Sequence, residues 1–139
     1  MLRPWLQRLV NGGEAFGVTD EVLAGFARVV THPRVFHPPE SIEAALAFVD
    51  SLRGARGFVA VGPGPRHGEI FATLCRSARP SGDTVWDAYH AAVAIENGCE
   101  WATVDADFAR FAGLRWMNPL TRETGGRRGP SGDPRKPGP

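Results

Sequence analysis

The stretch Thr84 to Phe108, T-V-W-D-A-Y-H-A-A-V-A-I-E-N-G-C-E-W-A-T-V-D-A-D-F, constrains this chain more than any other. It joins a nearly all-apolar helix, a helix stop, a short strand and an acidic turn. Thr84 is predicted as the N-cap, with Asp87 three residues on as an acidic variant of the capping box, and Asn97-Gly98 as the stop. From Asp87 to Asn97 the helix advances about 15 Å, at roughly 1.5 Å per residue. From Glu100 to Asp105 a strand returns about 16 Å, at roughly 3.3 Å per residue. The two lengths nearly cancel. An antiparallel helix and strand therefore bring Asp105, with Asp107 two residues on, back beside Asp87 at the carboxyl end of a strand, where open α/β sheets hold ligands.

Carboxylates meeting there repel, and each has its pKa raised unless a cation lies between them. A hard divalent ion, Mg²⁺ or Mn²⁺, held by carboxylates and waters relieves that repulsion. The same residues admit a plainer reading. An Asp in a first helical turn is favoured by the helix dipole, and Asp105 and Asp107 suit an ordinary turn whose Phe108 anchors it in a core.

The 139 residues make one domain with a real core, and 42% hydrophobic content fits a globular chain. No apolar run approaches the roughly 20 residues that span a bilayer, so no membrane role is expected. The first ten residues interleave arginines with apolar side chains and show no cleavage site. Cys75 and Cys99 are too few for a disulfide scaffold and sit in no nucleophile motif, which points to small packing residues in a reducing, cytoplasmic setting. Net charge is +1 but unevenly placed: residues 121–139 carry Arg122, Arg127, Arg128, Arg135 and Lys136 against Glu123 and Asp133, leaving residues 1–120 mildly acidic. That Gly- and Pro-rich tail has no large apolar side chain and is expected to be a disordered, solvated extension; contact with nucleic-acid phosphate is its other reading.

Upstream, Leu2, Trp5, Leu6, Leu9 and Val10 follow helical spacing, with Asn11-Gly12-Gly13 as the stop. No strand leads into this helix, which is unusual for an α/β chain. Thr19 is predicted to cap a second helix carrying Val22, Leu23, Phe26 and Val30, and Ser41 a third with a stripe of Ile42, Ala45, Leu46 and Val49. Phe58 to Val61 reads as a short buried strand closed by Gly62-Pro63-Gly64-Pro65, Arg66 to Arg79 as a helix, and Leu114 to Met117 as a last strand. The order α, α, α, β, α, α, β, β implies helices around a small, mostly parallel sheet.

V-W-D-A-Y-H-A-A-V-A-I-E-N-G, followed by T-V-D-A-D-F-A-R-F-A-G-L-R-W-M-N-P-L, resembles the C-terminal half of PIN-domain proteins of the VapC toxin type. V-L-A-G-F-A-R-V-V-T-H-P-R-V-F and G-P-R-H are similar to the middle of the same family, so the likeness covers residues 1 to about 120. The resemblance implies a PIN-like three-layer α/β fold and a Mg²⁺-dependent endoribonuclease, with Mn²⁺ as a possible substitute. It also implies a cognate VapB-like antitoxin that silences the enzyme, and a homodimer. Such enzymes gather acidic residues around metal ions that polarise a phosphodiester and activate water. Matched residue by residue, Asp87 takes the acid of D-A-x-x-A, and Asp105 and Asp107 the two acids of T-x-D-x-D-F. Thr103 takes a place behind the ligands or on a phosphate. His90, one helical turn from Asp87, either orients that carboxylate, touches RNA or makes a helix-surface hydrogen bond.

The resemblance has two gaps. The family's first ligand is an Asp ending an N-terminal strand, and this chain begins downstream of it, so the first strand is expected to be absent. The family's second acid aligns with Gly25, within Gly25-Phe26-Ala27-Arg28, a pattern some branches seem to share. Glu21, one turn earlier, either supplies a substitute carboxylate or only favours its helix N-terminus. Arg28, Arg34, Arg66 and His67 are candidates to grip RNA phosphates, or solvated and structural residues; Arg110 is read as a local cap or pair. Three functions remain open: a VapC-like ribonuclease, a catalytically inactive remnant that binds antitoxin or RNA without cleavage, and a structural domain whose acids only cap and turn.

Overall fold

The computed structural model describes residues 2–123. They fall into two compact units, Leu6–Gly62 on one side and residues 2–5 with 63 onward on the other. In chain order the elements are α1 (Leu2–Asn11), α2 (Asp20–Val30), α3 (Ile42–Arg53), α4 (His67–Ala78), α5 (Thr84–Glu96), β1 (Trp101–Ala102), a 3₁₀ helix over Ala106–Arg110, β2 (Trp116–Met117) and α6 (Pro119–Glu123). β1 and β2 pair in parallel, with Trp101 opposite Trp116 and Ala102 opposite Met117. The predicted α/β class, helices around a small parallel sheet, is therefore the observed one.

In the unit Leu6–Gly62, both predicted caps are in place. Thr19 Oγ1 accepts from the Val22 N–H at 3.1 Å, and Ser41 Oγ accepts from the Ala44 N–H at 3.1 Å, each satisfying an amide that the helix leaves without a partner. α2 packs on α3, and Leu23, Val49 and Leu52 form the core with Val10, Val18 and Phe26 against it. The predicted stripe on α3 needs correcting. Ala45, Val49 and Leu52 are buried, whereas Ile42 and Leu46 are 48% and 50% exposed. The buried row runs along i, i+4, i+7 from Ala45, and the two bulkiest predicted members fall to one side of it.

The buried strand predicted over Phe58 to Val61 is also absent. Phe58 makes an isolated parallel bridge to Phe16, in which Gly57 O accepts from the Phe16 N–H at 2.9 Å and Phe16 O accepts from the Val59 N–H at 2.7 Å. Pairing is limited to this single bridge, and Val59 is 49% exposed rather than buried. Gly57 is required by this close approach: a Cβ there would collide with the carbonyl of Glu14.

In the second unit α4 packs on α5, and the core gathers Leu74, Ala88, Ala91, Ala92, Ala94, Phe108, Phe111, Leu114 and Trp116. Alanine at the buried positions of α5 lets the neighbouring backbone come close without bulk to accommodate. The start of α5 differs from expectation. Thr84 is the first helical residue rather than the cap; Asp83 holds the cap position, and Thr84 Oγ1 accepts from the Ser81 N–H at 2.9 Å and donates to the Ser81 carbonyl at 2.7 Å. The hydroxyl is thus engaged with the preceding turn, and no capping box forms. The end of α5 is as predicted. Asn97 is the C-cap and Gly98 takes φ 66°, so that the Gly98 N–H reaches Ile95 O at 3.2 Å and the Cys99 N–H reaches Ala94 O at 2.9 Å. This is the Schellman arrangement, and only glycine takes that φ without a Cβ penalty.

Glu96, in the last turn of α5, supplies what Arg66 at the start of α4 does not. Its carboxylate accepts from the Gly64 N–H at 2.7 Å and the Arg66 N–H at 2.8 Å, tying the Gly-Pro loop and the N-terminus of α4 to α5. These amides, Gly64 first, hold Glu96 below the ordinary carboxylate value of 4.5. Because the folded value lies below the unfolded one, this tie is present above pH 4.5 and is lost as pH falls through the folded pKa. Glu96→Ala is expected to speed amide exchange at Gly64 and Arg66 by about tenfold or more, with little change in the α2–α3 amides; unchanged exchange at Gly64 would refute the tie.

α6 includes Thr121, and Asn118 starts it by accepting the Leu120 N–H at Oδ1, 2.9 Å away. The basic tail from residue 124 lies outside the described residues.

Candidate active site

The site is built on three consecutive elements of the second unit: the first turn of α5, β1 and the 3₁₀ helix that follows it. Asp87 stands, partly buried, in the first turn of α5. Asp105 is the N-cap of the 3₁₀ helix and is held from both sides. Its N–H donates to Thr103 Oγ1 at 3.1 Å, and its Oδ1 accepts from the Asp107 N–H at 2.9 Å. Thr103 is in turn fixed to the sheet, donating its N–H to Met117 O at 3.0 Å. The chain from β1 to Asp107 is therefore held at Thr103, Asp105 and Asp107, with the Thr103 hydroxyl engaged by the Asp105 amide.

Asp87 reads its neighbours electrostatically. Burial pushes its pKa above the ordinary value of 3.8, the negative charge of Asp105 pushes it further and that of Asp107 adds to this, while His90 and Arg110 act in the opposite direction. The charges of Asp105 and Asp107 thus bear on Asp87, while β1 covers only Trp101–Ala102, shorter than the strand expected from Glu100 to Asp105. Arg110, read from the sequence as a local cap or pair, also bears on Asp87 through its positive charge.

His90 also has a packing role that its spacing from Asp87 did not reveal. Its ring lies parallel to that of Trp101 on β1, with centroids 5.6 Å apart and planes at 11°, and Trp101 packs against Phe108 at 5.4 Å. This stack links α5, β1 and the 3₁₀ helix, the three elements that carry the acids. Phe108 is buried in the core, as the sequence predicted.

The Arg66 guanidinium holds Glu69 Oε1 through Nε at 3.0 Å and Nη2 at 2.8 Å, both side chains being exposed. His67 is buried between α4 and α5: its Nε2 N–H donates to the Tyr89 carbonyl at 3.0 Å, and its ring packs on Tyr89 and Phe71. That assigns it to packing rather than to a surface contact with RNA. Glu21, Arg28 and Arg34 belong to the other compact unit, where Arg28 and Arg34 are exposed and Glu21 is partly buried. A Cβ at Gly25 would meet nothing within 4 Å, so packing does not exclude a side chain at the position of the missing acid. Among the described residues, no three His, Cys, Asp or Glu side chains converge as a finished set for a metal ion.

The sequence pattern of the PIN domain matches residues 2–114. VapC ribonuclease Mb2897 of Mycobacterium bovis is 43% identical over 122 residues, covering 88% of this chain and 83% of its own length. Ribonuclease VapC43 of Mycobacterium tuberculosis matches with the same identity and coverage. Ribonuclease VapC25 of the same organism is 38% identical over 118 residues, 85% of this chain and 83% of its own. The family match runs through both compact units, and the relatives align over most of their length, so the chain belongs to the PIN-domain family, in its VapC branch.

Proposed function

We propose that this chain is an endoribonuclease that hydrolyses RNA phosphodiesters with a divalent metal ion, and that it is the toxin of a VapBC-type pair. The reading is supported by the charges of Asp105 and Asp107 acting on Asp87 in a chain whose relatives are named ribonucleases. Mg²⁺, or Mn²⁺ in its place, would be held by these three carboxylates. Their fit to such an ion rests on donor type, all hard oxygen, and on the repulsion felt at Asp87, which a cation relieves. When bound, the ion polarises a phosphodiester oxygen and supplies a nucleophilic water at neutral pH.

The chain's own residues do the rest. Thr103 and the Asp107 amide fix the backbone and side chain of Asp105, and the His90–Trp101–Phe108 stack keeps α5 and the acidic turn in register. Arg110 places a positive charge beside the acids, suited to a substrate phosphate. Partners in this reading are RNA, a VapB-like antitoxin and a second copy of the chain, acting in the cytoplasm; among the described residues no helix is long and apolar enough to cross a membrane.

A second reading, a binder of antitoxin or RNA that does not cleave, is favoured by the lack of a finished ligand set among the described residues. One experiment separates the two. The purified chain is incubated with total RNA in Mg²⁺, in Mn²⁺ and in EDTA. Cleavage with either metal and none in EDTA is expected, with Asp105→Asn inactive in all three. RNA that is bound but intact in Mg²⁺ would establish the second reading instead.

A further inference from the structure

Among the described residues of the second unit, two large apolar side chains stand out into solvent: Trp86, 56% exposed, and Val104, 51% exposed. A lone exposed valine needs no explanation. These two are placed otherwise, because each immediately precedes an acid of the site, Trp86 before Asp87 and Val104 before Asp105. The apolar exposure of this unit is therefore concentrated where the acids are.

Trp86 is also mounted rather than merely left out. Its ring meets Tyr89 edge-on, with centroids 5.6 Å apart and planes at 72°. Tyr89 is braced in turn by His67, at 4.4 Å, and by Phe71, at 6.5 Å. His67 is itself buried and hydrogen-bonded to the Tyr89 carbonyl. An indole at the outer end of a supported row of rings loses little conformational entropy when a flat partner is laid on it.

We propose that Trp86, with Val104 beside the second acid, receives an unpaired base of the substrate RNA and so sets which nucleotide lies at the acids. This rests on the ribonuclease reading. Single-stranded nucleic acids are held by base stacking on aromatic side chains, and RNA recognition in particular uses splayed-out bases. A nucleotide is alternately flat and anionic, which matches exposed apolar side chains that stand next in sequence to acids that would hold a cation. A peptide helix or strand would instead call for a continuous apolar groove, and these two side chains do not provide one.

The test uses the full chain and a random-sequence single-stranded RNA pool, with binding followed by fluorescence anisotropy in Ca²⁺ in place of Mg²⁺, a hard cation that carboxylates bind but whose loose, larger coordination does not support the hydrolysis. Trp86→Ala is expected to lower affinity by on the order of tenfold, the effect of losing one stacked base, and Trp86→Phe to keep most of it. Abasic substitution through the pool should weaken wild type more than Trp86→Ala. Trp86→Ala binding as tightly as wild type overturns the proposal, as does a loss confined to binding of the co-expressed antitoxin, which would assign the rim to that partner. Cleavage of total RNA by the wild-type chain is measured in parallel. A wild type that neither cleaves nor binds RNA removes the ribonuclease reading, whereas a cleaving wild type with an indifferent Trp86→Ala removes the base contact alone.

Discussion

Asp87→Asn is expected to abolish RNA cleavage and, in the same molecule, to raise the melting temperature of the metal-free protein. The first effect follows from losing a ligand charge for an ion that stabilises the transition state by several kcal/mol, a rate loss on the order of a hundredfold or more. The second follows from the direction of the pKa shift. Folded Asp87 holds its proton more tightly than the ordinary value of 3.8 allows, because of burial and then the Asp105 charge. Just above pH 3.8 the folded state therefore binds more protons than the unfolded chain, and stability falls as pH rises through the raised folded value. At neutral pH the carboxylate is charged at the expense of the fold, and the neutral amide removes that cost. The group is only partly buried, so the gain is modest, about 1–3 °C. Wild type should in addition gain stability on adding Mg²⁺, and Asp87→Asn should not, since only a protein that binds the ion is stabilised by it. Thermal melts with and without Mg²⁺ decide the matter. A variant that cleaves RNA at the wild-type rate would remove Asp87 from the site.

How much of this was legible beforehand depended on whether a residue's role is local. The helix stop at Asn97-Gly98 and the caps at Thr19 and Ser41 are set by backbone groups a few residues away, and all three are observed. The influence of Asp105 on Asp87 was suggested by two element lengths that nearly cancel, although the observed strand, Trp101–Ala102, is shorter than the five steps from Glu100 to Asp105. Thr84 was misassigned because Ser81 competes for its hydroxyl, a turn contact that the capping pattern does not encode. Phe58 to Val61 looked like a strand on composition, but its pairing is limited to the single bridge with Phe16 and Val59 is half exposed. His67 reads in sequence as a surface residue of a G-P-R-H motif; only packing shows it enclosed by Tyr89 and Phe71. The same holds for Trp101, whose part in joining the acid-bearing elements depends on His90 lying flat against it. Spacing located the acids, and tertiary contacts located what holds them.

Leu114→Ala is expected to produce the opposite pattern: a large loss of stability with the chemistry of each folded molecule nearly intact. Leu114 is fully buried, in a cluster with Ala88, Ala91, Ala92, Phe108 and Phe111. The alanines of α5 have no side-chain atoms to move into a vacated space, and Phe108 and Phe111 are held by their own ring contact at 5.9 Å. The cavity therefore stays open, which puts the cost toward the upper part of the 2–5 kcal/mol range for Leu→Ala changes. Against a total stability of about 5–15 kcal/mol that is a large fraction, and the melting temperature should fall by roughly 10 °C or more. Leu114→Met, which nearly conserves volume, should cost less than about 1.5 kcal/mol. Leu114 belongs to the packing beneath the acidic turn and not to the acids themselves. Measured well below its melting temperature, Leu114→Ala should keep kcat within about tenfold of wild type, since a remote cavity leaves the ligand charges in place. An Asp87→Asn that melts higher but is inactive, beside a Leu114→Ala that melts lower but is active, would separate the charge of the site from the packing that carries it. If Leu114→Ala melts within a degree of wild type, this cluster is not the core of its unit, and the anchoring of the acidic turn through Phe108 fails with it.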